Sequence, residues 1–397
     1  MTPIQPAELL WPIWLRRSLA QEEHFSGTQR QSKKWPRQIA SAFHVFVILL
    51  TGAHTACATS QSALPRDNPG VVQVSAAALA SFDRIIALSD VHGMYEHATQ
   101  LLQGAGVLDK GNHWQGGKTL LVITGDSIDK GPQSLEMLGL WLHLQEEAPR
   151  QKGRVIVLLG NHEAELLADP TGDTKTEALE DELTPEGLHV ADLAEGKSDK
   201  PVLGLPLRRY GTFLRSLPIA ARLGDWLFCH AGWVPPATSL PTPAARWQAL
   251  AGREQTALRS GDYSALLRAD GSELLERKEY PLGTKWWNTP EAFRVLETRL
   301  DSYGIQGVVF GHCPTAFEIV DGVGYPSPTD HRLIKIDSGM APEAGGFSGH
   351  LLVFPHPQEL SGTSATRVHA LSSSIEHGQL ITAPIKEGTH KLKESSH

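Results

Sequence analysis

The sequence predicts an α/β fold. Short β-branched runs recur at residues 85–88, 119–124, 155–159, 227–229 and 308–310, a rhythm that strands alternating with helices produce. Between the first three runs, residues 95–102 and 133–147 carry apolar side chains at helical spacing, as crossover helices do. After Phe310 the rhythm changes to closely spaced runs at 317–320, 333–336 and 351–354, so the second half is expected to be β-rich. A chain of 397 residues, 41% hydrophobic and 20% charged, is long enough for one large core with appendages. That core is expected over residues 85–355.

The flanks differ in character. Residues 1–58 read as an export region, because Arg30, Lys33, Lys34 and Arg37 precede an apolar stretch at 39–50. The stretch is broken by His44 and falls short of the roughly 20 residues that cross a bilayer, which favours an export signal over a permanent anchor. Two endings fit. Ala56-Cys57-Ala58 suits ordinary signal peptidase, whereas Thr55-Ala56-Cys57 resembles a bacterial lipobox whose lipidated Cys57 would attach the chain to a membrane. The expected location is therefore periplasmic or secreted, as a soluble protein or a lipoprotein. Residues 59–84, with Pro65 and Pro69, read as a polar linker, and residues 356–397 lack an apolar pattern and are expected to be mobile.

Cys57, Cys229 and Cys313 are the only cysteines, so no disulfide framework is implied. The formal net charge of −8 argues against a phosphate-tracking nucleic-acid binder, and no nucleic-acid partner is expected. Two insertions interrupt the α/β rhythm. Residues 169–206 are polar and largely acidic, with Asp181, Glu182, Glu186, Asp192 and Glu195; they read either as a substrate-shaping cap or as a solvated excursion. Residues 234–289 include Trp247 and the pair Trp286-Trp287, which read as packing.

Short polar motifs end the predicted strands: Asp90-Val91-His92-Gly93, Gly125-Asp126-Ser127-Ile128-Asp129, Gly160-Asn161-His162-Glu163, His230-Ala231-Gly232 and Gly311-His312. Ligands bind at the carboxyl edge of an α/β sheet, where loops far apart in sequence converge. Carboxylate, amide oxygen and imidazole together suit two divalent cations such as manganese, iron or zinc. If strand geometry persists, Asp90 and His92 face the same side and hold one ion, while Asp126 bridges it to a second completed by Asn161, His230 and His312. Such ions, about 3.5–4 Å apart, share a water whose pKa they lower. Asp129 and His162 remain for proton handling, since a histidine oriented by a carboxylate can protonate a leaving group. Lys130 supplies a cation for phosphoryl oxygens, beside Asn161. Taken singly each residue has a bland explanation, such as a turn or helix cap, but repeated coincidence at five strand ends does not.

Taken in order, DVHG, GDSIDKG, GNHE, HAG and GH resemble the motifs of the calcineurin-like metallophosphoesterases, over roughly residues 85–354. The resemblance implies a four-layer αββα sandwich, two mixed β-sheets flanked by helices, with both metals at the sheet edge. Within that superfamily the motifs are most similar to the phosphoprotein-phosphatase branch, which includes bacterial Shewanella-like protein phosphatases and diadenosine tetraphosphatases. Asp129 and Gly131 extend the second motif, Glu163 ends the third, Cys313-Pro314 follows Gly311-His312, and residues 335–339 resemble the branch's IDTG-type turn. Two departures stand out: Lys130 occupies a position where the branch carries arginine, and no Trp-x-Arg follows near Trp286. A lysine grips phosphate as a point charge and not as a two-pronged fork.

The function this implies is hydrolysis of phosphate monoesters, on a small ester or a phosphoprotein, by a metal-bridged hydroxide. A phosphodiester or dinucleoside polyphosphate hydrolase is the enzymatic alternative and would need a basic groove for a second phosphate. A non-catalytic metal-binding envelope protein is the other alternative, disfavoured by the intact Asp129 and His162.

Overall fold

The computed structural model describes residues 69–172, 177–233, 235–268, 271–275, 290–314, 317–320, 323–326, 332–346, 349–361, 371–376 and 379–384. The export region with Cys57, residues 59–68 of the linker with Pro65, and Trp286-Trp287 lie outside the described residues.

In chain order the chain forms β1 (Val71–Val74), α1 (Ala76–Leu79), β2 (Arg84–Leu88), α2 (Tyr95–Gly104), β3 (Thr119–Ile123), α3 (Ser134–Glu147), β4 (Arg154–Val157) and α4 (Asn161–Ala168). The first insertion contributes α5 (Glu177–Leu183), α6 (Val190–Glu195) and the short strands β5 (Pro201–Val202) and β6 (Leu205–Pro206). Next come α7 (Leu207–Ser216), β7 (Ala220–Leu223) and β8 (Trp226–Cys229), then α8 (Pro243–Ser260) and α9 (Tyr263–Leu267) in the second insertion. The chain ends with α10 (Pro290–Ser302), β9 (Gly307–Phe310), β10 (Phe317–Val320), β11 (Val323–Pro326), β12 (Leu333–Lys335), β13 (His350–Phe354), β14 (Leu371–Glu376) and β15 (Gln379–Pro384).

Two mixed sheets form, as expected. One has the order β1-β7-β8-β9-β12 and the other β15-β14-β13-β2-β3-β4. In the second sheet β2, β3 and β4 run parallel while β13 joins β2 antiparallel. The strands read as continuous apolar runs because both faces are covered. On β2, Ile85 and Ala87 belong to the layer between the sheets with Leu120, Phe228, Val309 and Phe354, whereas Ile86 and Leu88 pack in the cluster that contains Leu101, Leu138 and Trp141 of α2 and α3. Period-two alternation thus separates an inter-sheet core from a sheet–helix core. Phe354 joins the layers, meeting Trp226 and Phe228 edge-on at 5.9 and 6.1 Å between ring centres.

The ends of the domain differ from the expectation. The assigned linker at 59–84 contains β1, which pairs with β7 in parallel and extends the first sheet. The assigned mobile tail at 356–397 contains β14 and β15, which add to β13 antiparallel in the second sheet. Leu371–Glu376 is serine-rich, so its strand character comes from ladder pairing with β13 and not from an apolar period. Cys229 is buried and Cys313 half-buried, and neither is in a disulfide. Among the described residues no helix is long and apolar enough to cross a membrane.

Candidate metal centre

Six loops leave the carboxyl ends of β2, β3 and β4 in one sheet and of β8, β9 and β12 in the other, and converge at one edge of the paired sheets. Asp90 and His92 reach it in a way the sequence did not foresee. β2 ends at Leu88, and both residues lie in the left-handed region, with φ of 52° and 43°. Strand alternation does not place them; a tight turn does. Asp126, Asp129, Lys130 and His312 are also left-handed, so six of the nine non-glycine residues with positive φ among the described residues are the predicted site residues. Asp and His tolerate this region better than most side chains, and such conformations persist where surrounding bonds over-determine them. Here the bonds are explicit: Asp90 N donates to Gly125 O at 3.1 Å, His92 N to Asp126 O at 2.9 Å and Gly131 N to His92 O at 2.8 Å. Gly160 and Gly311 are required by close approach, since a Cβ on the first would collide with Asp126 and on the second with Asp90 and Ser89.

Asp126 lies at the middle. Its Oδ2 is 3.3 Å from His230 Nε2, 3.6 Å from His92 Nε2 and 3.8 Å from His162 Nε2, while Oδ1 accepts from His162 N at the start of α4 at 3.1 Å. Two groups of donor atoms share it: His92, Asp126 and His162 form one, and Asp126, His230 and His312 the other. Asn161 Oδ1 lies 2.8 Å from His230 Nε2 and 2.9 Å from His312 Nδ1, beside the second group. Asp90 is turned toward His312, whose N–H donates to both its oxygens at 3.0 Å. All six predicted ligand residues therefore meet at one edge, with His162 closer to the first group than the sequence suggested.

The imidazoles are set for metal binding. His92 Nδ1 donates to Ile128 O and His230 Nδ1 to Thr124 O, each at 3.0 Å. A carbonyl partner on one ring nitrogen turns the other inward, the arrangement that metal-ligating histidines show. Oxygen and imidazole donors in two groups sharing a carboxylate fit a pair of divalent ions. Electrostatics agree. Burial, then Asp337 and Asp126, hold Asp90 well above the usual carboxylate range. Burial also drives His92 and His312 down to about 3. Burial opposes charge on His230, yet Asp126, Asp90 and Glu163 push it up to about 10.

Asp129 and His162 meet as expected, with His162 Nδ1 donating to Asp129 Oδ2 at 2.9 Å. Burial lowers the His162 value, but Asp126 and Asp129 outweigh it and hold the ring above an ordinary imidazole. Lys130 Nζ donates to His92 Nε2 at 2.9 Å. Lys130, Asp126, Asn161, His162 and His312 line a cleft of about 670 Å³ whose remaining wall is Glu165, Glu177, Ala178, Asp181 and Glu343.

Three contributions were missed or left open. Glu163, read only as the end of a motif, accepts from Asp126 N at 3.0 Å, Ser127 N at 2.6 Å and Gly160 N at 2.8 Å. It ties the β3 and β4 loops together; burial and Asp126 push it up to about 7 against the pull of those donors. Asp337 is buried at the same edge. The first insertion forms part of the cleft wall through α5, where Glu182 accepts from Ser134 N at 2.7 Å and Leu135 N at 2.8 Å, capping α3. The Ser134 hydroxyl accepts from Asp129 N at 3.1 Å, so α5 is docked one residue from the proton pair. The described part of the insertion is thus packed against the domain and is not a solvated excursion.

The calcineurin-like phosphoesterase family matches residues 83–315, and the chain belongs to that family. Among curated relatives, Shewanella-like protein phosphatase 2 of Arabidopsis thaliana is 32% identical over 100 residues, 25% of this chain and 26% of that protein. The symmetrical bis(5'-nucleosyl)-tetraphosphatase of Methylococcus capsulatus is 29% identical over 184 residues, 46% of this chain and 54% of that protein. The matches thus span from about a quarter to about half the length of these relatives. The crystal structure of a cold-active protein-tyrosine phosphatase from a psychrophilic Shewanella species superposes with a TM-score of 0.53 at 20% identity, covering 81% of this chain and 83% of that one. The fold and the branch indicated by the motifs both agree with these relatives.

Proposed function

We propose that this chain is a metal-dependent phosphomonoesterase. The observation that carries the reading is the sharing of Asp126 Oδ2 between two donor groups, with the His162–Asp129 pair and Lys130 on the same cleft. Two divalent ions bound there would supply Lewis acidity and an activated water as nucleophile. Asp126 sits between the two positions and would bridge them. Asp90 and His92 would serve one ion, and Asn161, His230 and His312 the other. His162, held above an ordinary imidazole by Asp126 and Asp129, is placed to deliver an Nε2 proton to the departing oxygen, and Asp129 fixes the ring for that transfer. Lys130 and the Asn161 amide hold the phosphoryl oxygens. Manganese is the ion proposed, since oxygen and imidazole donors suit it.

The cleft favours a monoester over a dinucleoside polyphosphate. Its outer wall carries Glu165, Glu177, Asp181 and Glu343 against the single lysine Lys130, and an acidic mouth repels a chain of phosphates. The 29% identical tetraphosphatase keeps the second reading in play. Assay of the purified protein with manganese against para-nitrophenyl phosphate, its bis-ester and diadenosine tetraphosphate separates the readings. Monoester turnover at least tenfold above the others is expected; faster diester or tetraphosphate cleavage selects the alternative, and no turnover with two ions bound selects a metal-binding role. A small ester and a phosphopeptide of basic sequence are the proposed substrates. Export is proposed on residues 30–58, with maturation near Cys57 or Thr59, or lipidation of Cys57. Mass spectrometry of the native N-terminus tests it: a chain that retains Met1 refutes export.

A further inference from the structure

Asp337 belongs neither to the ligand set nor to the proton pair, yet it stands at their edge. β12 runs parallel to β9 with Lys335 opposite Phe310, and Ile336 N donates to Phe310 O at 2.7 Å. Asp337 follows Ile336 directly at the end of that pairing, where Gly311 and His312 follow Phe310, and His312 N in turn holds both oxygens of Asp90 at 3.0 Å. Its side chain is 3% exposed, and Oδ1 accepts from Gly339 N at 2.8 Å in a tight turn. The turn needs an acceptor for one N–H, which an asparagine or serine supplies without charge. A further buried carboxylate at an edge that already holds Asp90 and Asp126 is costly unless cations offset it. The turn explains the acceptor and leaves the charge unexplained.

We propose that Asp337 is a positioning residue of the metal centre, whose carboxylate charge strengthens the hold of the Asp90 side on its ion without taking the place of a ligand. The proposal rests on the two-ion reading of the site. In the stripped protein the same charge works the other way: it repels Asp90 and Asp126, and its removal relieves them. A residue that only closed the turn would show neither effect.

The test uses metal-stripped wild type, Asp337→Asn and Asp337→Ser, each titrated with manganese alone and each unfolded in chelator at pH 8. Both variants keep an acceptor for Gly339 N, so the serine variant serves where the asparagine variant does not fold. The expected result is one ion bound about 10–100-fold more weakly, the usual effect of losing a supporting partner behind a ligand, with the unfolding midpoint of the stripped protein unchanged or raised. Manganese affinity within twofold of wild type overturns the proposal. A lowered midpoint with both ions weakened alike also overturns it, and assigns Asp337 to the fold. Wild type that binds fewer than two ions refutes the two-ion reading itself, so that failure is distinct from a failure of Asp337.

Discussion

Glu163→Gln isolates the clamp beneath the site. The Glu163 carboxylate serves three buried N–H groups, with Asp126 N and Gly160 N on Oε2 and Ser127 N on Oε1. Glutamine has one accepting oxygen. Keeping it on Ser127 strands two donors, and turning it to the other pair strands Ser127 N and points an amide N–H at it. The better orientation leaves one orphaned donor, costing about 1–3 kcal/mol, and exchanges charge-assisted bonds of about 1.5–3 kcal/mol for neutral ones of about 0.5–1.5 kcal/mol. These losses sum to roughly 3–6 kcal/mol; relief of the buried charge, which burial and Asp126 disfavour, offsets part of them and leaves roughly 2–5 kcal/mol, a large part of the 5–15 kcal/mol typical of a domain. Urea unfolding of the stripped protein at pH 8 measures it as a shift in midpoint at constant slope. Because Ser127 N, the donor left without an acceptor, follows Asp126 directly in the β3 loop, manganese binding should weaken as well. A midpoint within experimental error of wild type, with two ions retained, refutes the clamp.

His162→Ala should retain both ions but lose about 10²–10⁴-fold in turnover on phenyl phosphate, and less on para-nitrophenyl phosphate, as loss of a general acid does; an equal loss on both esters excludes the leaving-group role. Lys130→Ala should raise KM and lower kcat together, since a cation on the phosphoryl oxygens acts in ground and transition states. Lys130→Arg should preserve much of the activity, and unchanged constants in Lys130→Ala would make this lysine a bystander. Manganese affinity should rise with pH, because the His230 ring, pushed up to about 10, is protonated throughout the neutral range and the ion must displace that proton. Each proton displaced gives up to about tenfold per pH unit; equal dissociation constants at pH 6.5, 7.5 and 8.5 would contradict this.

The site was legible where chemistry is written locally. Asp90, His92, Asp126, Asn161, His230 and His312 sit in glycine-flanked motifs at strand ends, and the structure brings all of them to one edge. What convergence required was misread: the alternation argument for Asp90 and His92 failed because their loop is left-handed, a property set by bonds to the β3 loop over 30 residues away. Glu163 left a signal, since a glutamate two residues after Asn161 occupies the capping-box position of α4. Asp337 left only an Asp-Ser-Gly turn, which shows an acceptor and not a charge. Glu182 could not be found from sequence, because its partners Ser134 and Leu135 lie 48 and 47 residues away. In the fold, runs buried on both faces were found; serine-rich β14 was missed because ladder pairing and not composition makes it a strand, whereas β1, Val-Val-Gln-Val, carried a strand's composition inside the assigned linker.

The molecule separates what holds the fold from what strains the site. The layer between the sheets, from Ile85 and Leu120 to Phe228 and Phe354, includes none of the metal-ligand residues. The site concentrates left-handed Asp, His and Lys residues and several buried carboxylates, each costing on the order of 1–3 kcal/mol where unsupported. Two devices offset that cost without metal: backbone bonds exchanged between the β2 and β3 loops, and the Glu163 clamp. Bound ions add the rest, since any ligand of the native state stabilises it by RT ln(1 + [L]/Kd), about 2.7 kcal/mol at a hundredfold excess over Kd. The stripped protein should therefore soften first at this edge while the inter-sheet core persists, and metal loss and unfolding become separable measurements. That separation gives the Asp337 and Glu163 substitutions opposite signs: one relieves a crowded charge, and the other removes a support the loops need with or without metal.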